Sequence, residues 1–472
     1  MQSGYDFINN LKQELRSYGT KANVRDLIVL ANQNDPFYAG TPTDWEMARW
    51  FMELWARYGY SLAVHLRRIH YQHVSQAAPK KHGGQPYENT EGDWGYLCNA
   101  GKYARDLGLL DAKMIVDHRN PAPTIYSYSG GILRPEYFID DLWSLGLPSL
   151  DSTDLRLDDW DPPELGIRGY SNAAARQPYH LEVWCEKSTM NDVLHPLCER
   201  YGVDYVTGLG FMSDRSAEDL VERAVGSGKP TRVFYVSDYD PAGVGMPIAL
   251  ARRVEWKARA IDGVDLKLLP VVLTSEQVHR YDLPRTPVKD TDRRKGKWEM
   301  LHGEGAVELD ALQALHPGEL AGIIRPLIRR YRDATLGSRL LDAHREARDI
   351  LGESVDGVWS EVSDDVDNLR SRVEGVVGLY GARFDALVKE FEAEMQPLRD
   401  SELSLRQVIK QKIRRMDVAL PLAPEPDVAG DSGLSWLYDS SRDYLEQVQA
   451  YKEWQRGKQT NGVKDSGSDG HA

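Results

Sequence analysis

The stretch Val236-Ser-Asp-Tyr-Asp-Pro-Ala-Gly243 decides the reading of this chain. It follows Thr231-Arg-Val-Phe-Tyr-Val236, a β-branched and aromatic run that predicts a buried strand. Asp238 and Asp240 are two residues apart, so at a strand end both side chains leave the same face. Upstream, His180-Leu-Glu-Val-Trp-Cys185 is a second strand-like run, and it also ends in an acid, Glu186, followed by Lys187. Three carboxylates at the ends of nearby strands suit a hard cation such as Mg²⁺, which takes oxygen ligands and keeps waters for phosphate oxygens. Helix capping is the other reading, since Asp240 precedes Pro241 and a helix. A cap accounts for one aspartate; it leaves the second aspartate and Glu186 unexplained.

Around these runs the pattern alternates. Strands are predicted at 180–185, 203–207, 231–237 and 266–273, with helices at 189–201, 216–226 and 246–260 between them. Such alternation implies a doubly wound parallel sheet, whose ligands gather at the carboxyl ends of its strands. Glu186, Asp238 and Asp240 all belong to those ends.

The N-terminal part reads as helical. Asp44-Trp-Glu-Met-Ala-Arg-Trp-Phe-Met-Glu-Leu-Trp55 repeats its apolar residues at helical spacing behind a cap at Thr43 or Asp44. A helix at 62–74, a Gly/Pro/Lys loop, a helix from Asn89 to Arg105 and a short β segment at 112–117 follow. That order fits a winged helix-turn-helix, or else a small helical domain without a nucleic-acid role. From 338 to 415 the chain is charged and helical. Val355, Val358, Val362, Val366, Leu369, Val373, Val376, Tyr380 and Leu387 form an apolar stripe, either a dimer coil or a hairpin packed on its own domain. The expected organisation is therefore 1–40 helical segment, 41–125 winged helix, 126–177 connector, 178–335 parallel sheet, 336–418 helical extension, 419–433 linker, 434–456 helix and 457–472 disordered tail.

Bulk properties narrow the classes. A chain of 472 residues can bury more than one core. Three unpaired cysteines, no signal peptide and no apolar run of membrane-spanning length predict a cytoplasmic protein without a membrane partner. The net charge of −14 does not favour nucleic acid, although a local basic groove can coexist with an acidic whole.

Asp238-Tyr-Asp-Pro-Ala-Gly243 preceded by a strand-end glutamate resembles the Toprim fold of topoisomerases, primases and some nucleases. The match is closest to the topoisomerase VI A subunit and its meiotic relatives that make double-strand breaks. Thr207-Gly-Leu-Gly-Phe211 and Val307-Glu-Leu-Asp-Ala-Leu312 are similar to two further segments of that family. Its winged helix carries an Arg-x-x-Tyr-Tyr run whose second tyrosine attacks DNA. Here Leu66-Arg-Arg-Ile-His-Tyr-Gln72 supplies Arg67 and Tyr71, with His70 in place of the first tyrosine. Asn89–Arg105 resembles the recognition helix and Ile115-Val-Asp-His-Arg119 the strand after it. The resemblance covers about residues 40–330. It implies an N-terminal winged helix and a Toprim sheet; with the C-terminal helical extension read from the pattern after 335, the expected class is α/β plus α.

The resemblance also implies roles. Tyr71 would be the nucleophile, Glu186 its base, and Glu186, Asp238 and Asp240 the ligands of Mg²⁺. A phenol is weakly nucleophilic at neutral pH and needs a base or a cation. Arg67 lies one turn before Tyr71 on the same helix face and could hold the phosphate. Arg68, Lys80, Lys81, Lys102, Arg105, Lys187, Arg293 and Arg294 are the cations expected to meet DNA. His65, His70 and His73 read as packing residues. The implied assembly is a homodimer in which one protomer's tyrosine faces its partner's acids. No Gly-x-x-x-x-Gly-Lys-Ser/Thr run is present, so strand passage would need a separate ATPase subunit, or a chromosome-organising complex would take the chain as a component. A hydrolytic nuclease with Tyr71 as spectator and a non-catalytic DNA-binding dimer are the alternatives.

Overall fold

A computed structural model describes residues 2–116, 121–128, 130–148, 157–208, 210, 213–380 and 388–456. Asp117–Arg119 of the expected strand, Leu209 and Phe211 of the glycine-rich segment, Leu387 of the stripe and the 457–472 tail lie outside the described residues. The fold is mixed α/β, with a parallel-rich sheet. The chain divides into two compact units: 1–129 with 177–332 and 428–472, and 130–176 with 333–427.

Among the described residues the strands are β1 (Glu136–Ile139), β2 (Leu165–Arg168), β3 (His180–Cys185), β4 (Asp204–Thr207), β5 (Thr231–Val236), β6 (Leu266–Val272) and β7 (Tyr438–Asp439). The first unit holds the five-stranded sheet, ordered β4-β3-β5-β6-β7. Its first four strands are parallel, as the alternation predicts, and β7 pairs antiparallel with β6. β7 falls inside the segment 434–456 that was expected to be all helix.

The winding reverses at β3. From β3 the chain passes through the Asn191–Tyr201 helix to β4 on one side. It then returns through Asp214–Ser227 to β5 on the other side of β3. Leu194, Leu197 and Cys198 pack with Leu181, Val183, Phe234 and Val236 on one sheet face. Leu220, Val221, Ile248 and Leu250 pack with Trp184, Val233 and Tyr235 on the other. Helices on both faces with a reversal between β3 and β5 open a crevice at the carboxyl ends of those two strands. β3 and β5 run in register, Cys185 level with Val236, so Glu186 and Ser237-Asp238 emerge side by side.

The N-terminal helices form their own core in the same unit. Pro42–Arg57 starts at a Thr41 capping box with Asp44 and Pro at its first position. It packs with Leu66–Val74 and Glu91–Asp106 through Trp50, Phe51, Leu54, Ile69, Leu97 and Ala104. A Cβ at Gly101 would come within 3.0 Å of the Phe51 ring, so the absent side chain is what lets the two long helices approach. Ile115 makes a parallel bridge to Val64, and Lys80 an antiparallel one to Pro86.

In the second unit, Leu336–Tyr380 and Val388–Arg414 form a helical pair. Val362, Val366, Leu369 and Val373 of the apolar stripe meet Phe391, Met395, Leu398 and Ile409 of the second helix. The stripe is therefore covered within the chain. Residues 130–176, expected as a connector, belong to this unit: Ile139, Leu145 and Trp160 join the same core, and β1 pairs antiparallel with β2.

Candidate functional site

The crevice gathers five acids and one lysine. Glu186 is buried, 6 % exposed. Its Oε1 accepts the backbone N–H of Asp238 at 2.6 Å, while its Oε2 is buried without a hydrogen-bond partner. Burial, then the nearby Asp238 and Asp240 carboxylates, push the Glu186 carboxyl up to about 8. An unpartnered buried carboxylate oxygen beside two aspartates fits a cation.

The next strand end is shaped by a tight loop. Gly243 N–H donates to Asp240 Oδ1, and a Cβ at Gly243 would lie 2.1 Å from the Asp238 carbonyl oxygen. Only glycine allows this return of the chain. Tyr239, between the aspartates, is buried and exchanges two backbone hydrogen bonds with Val307. That bridge brings Glu308-Leu-Asp310 to the site. Leu309 N–H donates to Asp238 Oδ1 at 2.7 Å. Lys187 Nζ lies 3.0 Å from Asp238 Oδ2, 3.0 Å from Glu308 and 2.9 Å from Asp310. Burial acts against the Lys187 charge, but its three carboxylates outweigh that and raise its pKa. Arg294 donates to the Pro241 carbonyl at 3.0 Å and pairs with Asp292, so it braces the acidic loop.

Glu186, Asp238 and Asp240 are neighbours but do not form a closed ligand set. Among the described residues, the group whose ligand atoms all lie within 4.8 Å of one another is His180, Glu182 and Asp204. This buried group could hold a metal ion, and it was not foreseen. It lies at the opposite end of the sheet, at the starts of β3 and β4. Protein groups already use its oxygens. Glu182 accepts two hydrogen bonds from Arg223 at 2.8 Å, one from Trp184 at 2.7 Å and one from His180. Asp204 accepts the Tyr126 and Ser127 N–H groups and the Ser127 hydroxyl. Burial would raise the Glu182 pKa, yet Arg223 and His180 bring it down to about 2. The sequence signal was His180-x-Glu182 on one strand face, level with Asp204 of the next strand. Glu308 and Asp310 carried a similar i, i+2 signal.

On Leu66–Val74, Ile69, His70 and His73 face inward and Arg67, Arg68 and Tyr71 outward. His70 bonds Tyr87 at 2.7 Å and Asn89 at 3.1 Å, so this departure from the Tyr-Tyr pattern serves the core. Tyr71 is 53 % exposed, and its hydroxyl has no partner among the described residues. The Arg67 guanidinium stacks on Trp94, 4.4 Å from the ring centroid.

The expected DNA-contacting cations divide. Arg68, Lys80 and Arg293 are exposed. Lys81 is half-buried, paired with Asp93 and lying over Tyr96. Lys102 and Arg105 are engaged within the protein. Lys102 donates to the Gln33 carbonyl at 2.6 Å, and Arg105 pairs with buried Asp214 at 3.3 Å, so both side chains stitch the helical part to its surroundings. Lys187 and Arg294 are spent on the acidic loop as described above.

No protein-family model and no curated protein matches the sequence. The functional reading therefore rests on the geometry of the site.

Proposed function

We propose that this protein is a Mg²⁺-dependent DNA-cleaving transesterase resembling the topoisomerase VI A subunit, acting as a homodimer and retaining a link between Tyr71 and the cut strand. The observation that carries this reading is Glu186: a buried carboxylate with a free Oε2, beside Asp238 and Asp240, in the crevice where the sheet reverses its winding. Sites at this crevice serve ligands across doubly wound folds. A bound Mg²⁺ would neutralise charge on the scissile phosphate. Glu186, Asp238 and Asp240 would hold it, and Glu186 is the group expected to accept the phenol proton, directly or through water.

In the reaction the Tyr71 oxygen bonds to phosphorus as the bond from phosphorus to the leaving sugar oxygen breaks. The phenol proton passes to a basic group, and the leaving oxygen takes up a proton. One phosphodiester replaces another, so resealing is the same step in reverse. Exposure of Tyr71, and of Arg67 and Arg68 on the same helix, supports contact with a substrate outside the protomer. ATP-driven strand passage would need a separate ATPase subunit; without one the chain would cut without strand passage.

The test is incubation with DNA and Mg²⁺ followed by a denaturing quench. Wild type is expected to yield protein-linked DNA, and Tyr71→Phe none. The second reading is a hydrolytic nuclease, in which the acidic crevice of Glu186, Asp238 and Asp240 activates water and Tyr71 is a spectator. In that case Tyr71→Phe still cuts, while Glu186→Gln and Asp238→Ala do not.

A further inference from the structure

Lys187 stands where a cation would be expected to act. Its Nζ is within 3.0 Å of three carboxylates, Asp238, Glu308 and Asp310. Asp238 is the acid that Glu186 and Asp240 need in order to surround a divalent ion. With its Oδ2 on Lys187 and its Oδ1 on the Leu309 N–H, Asp238 has its oxygens engaged. Meanwhile Glu186 Oε2, buried in the same crevice, has no partner. The protein has thus paired Asp238 internally and left Glu186 Oε2 without a partner.

We propose that Lys187 is an internal competitor of the divalent cation: the ion enters by taking Asp238 Oδ2 from the Lys187 ammonium, which then remains on Glu308 and Asp310. The inference rests on the metal-site reading above and extends it with a specific exchange of partners. The geometry supports the exchange. Glu308 and Asp310 are held in place by the backbone bridge between Tyr239 and Val307 rather than by Asp238 alone, so the lysine keeps two anchors when the third is lost. Those anchors keep a positive charge beside the cation site, where phosphate would arrive. Glu308 is the more exposed of the two and Asp310 the less, so the retained position leans toward the protein side.

Mn²⁺ binding to the full chain, followed by the loss of the free-ion electron paramagnetic resonance signal, tests this without any DNA. Lys187→Met is expected to bind Mn²⁺ about tenfold more tightly than wild type, the scale of one charged hydrogen bond. Lys297→Met is the control for a general change in field. Lys297 is exposed, and none of the hydrogen bonds or ion pairs above involves it. Its loss should shift Mn²⁺ affinity less than twofold. Equal shifts in the two variants, or no shift in Lys187→Met, overturns the competition. No Mn²⁺ binding to wild type, Lys187→Met and Lys297→Met alike removes the metal-site reading itself, a different outcome from failure of the exchange alone.

Discussion

Gly243 shows how much of the site depends on a missing side chain. A methyl group there would press on the Asp238 carbonyl oxygen at 2.1 Å, and the loop holding Asp238 and Asp240 would have to open. Gly243→Ala is expected to cost about 1–3 kcal/mol of stability, the range for overpacking, and to abolish Mn²⁺ binding while far-ultraviolet circular dichroism stays native. Retained binding would mean that the loop tolerates the opening. At this scale much of the acidic site was legible. Asp238, Asp240 and Glu186 could be read because acids at strand ends break an apolar pattern. The partnership of Lys187 with Glu308 and Asp310 could not, because it depends on a backbone bridge between residues far apart in the chain. The protein partners of Lys102 and Arg105 could not be read for a related reason: a cation on a helix looks alike whether it faces solvent or, as here, a carbonyl and a buried aspartate.

Among elements, the buried pair of Asp35 and Arg252 joins the 3₁₀ turn Pro36–Tyr38 to the Gly245–Ala258 helix. Both side chains are fully enclosed, and Asp35 also accepts the N–H groups of Val29, Leu30 and Phe37. Asp35→Ala would leave the Arg252 charge with Glu255 as its nearest carboxylate. The expected loss is about 3–5 kcal/mol, measured by denaturant unfolding. A change under 1 kcal/mol would show that Glu255 and the Tyr444 hydroxyl suffice. The parallel strands and their helices were legible because each helix turns one apolar stripe toward the sheet, and each strand is a short run rich in β-branched, aromatic and aliphatic residues despite single polar ones such as Glu182, Arg232 and Lys267. β7 was not. Two paired residues after a proline-rich segment carry no periodicity, and their place is set by hydrogen bonds to β6.

The whole molecule holds its sheet edge through a carboxylate. Burial would raise the Asp431 pKa, but hydrogen bonds from Arg232, Lys267 and Tyr331 bring it down to about 2. A carboxyl with a lowered folded pKa contributes stability that is present above its unfolded value, near 4, and is lost as pH falls through about 2. Asp431→Asn is therefore expected to lower the melting temperature at pH 7 and to leave a smaller difference from wild type at pH 2.5. A gap that stays constant across this range would assign the effect to packing. Division into units was only partly legible. The helical pair and its apolar stripe could be read, but the assembly of 130–176 with 333–427 joins segments with no local signal for each other. Ending the chain at 335 would thus strip Ile139, Leu145 and Trp160 of their partners and remove β7 as well.

That late edge strand has a consequence for biosynthesis. Arg232 is 2 % exposed and rests on Asp265 and Asp431, the second of them 199 residues downstream. A ribosome adding about 5–20 residues per second would expose Arg232 about 10–40 s before Asp431 exists. Over that interval the nascent sheet holds a guanidinium one acid short, with β6 open at its rim. The sheet edge is completed only once that later segment has been made.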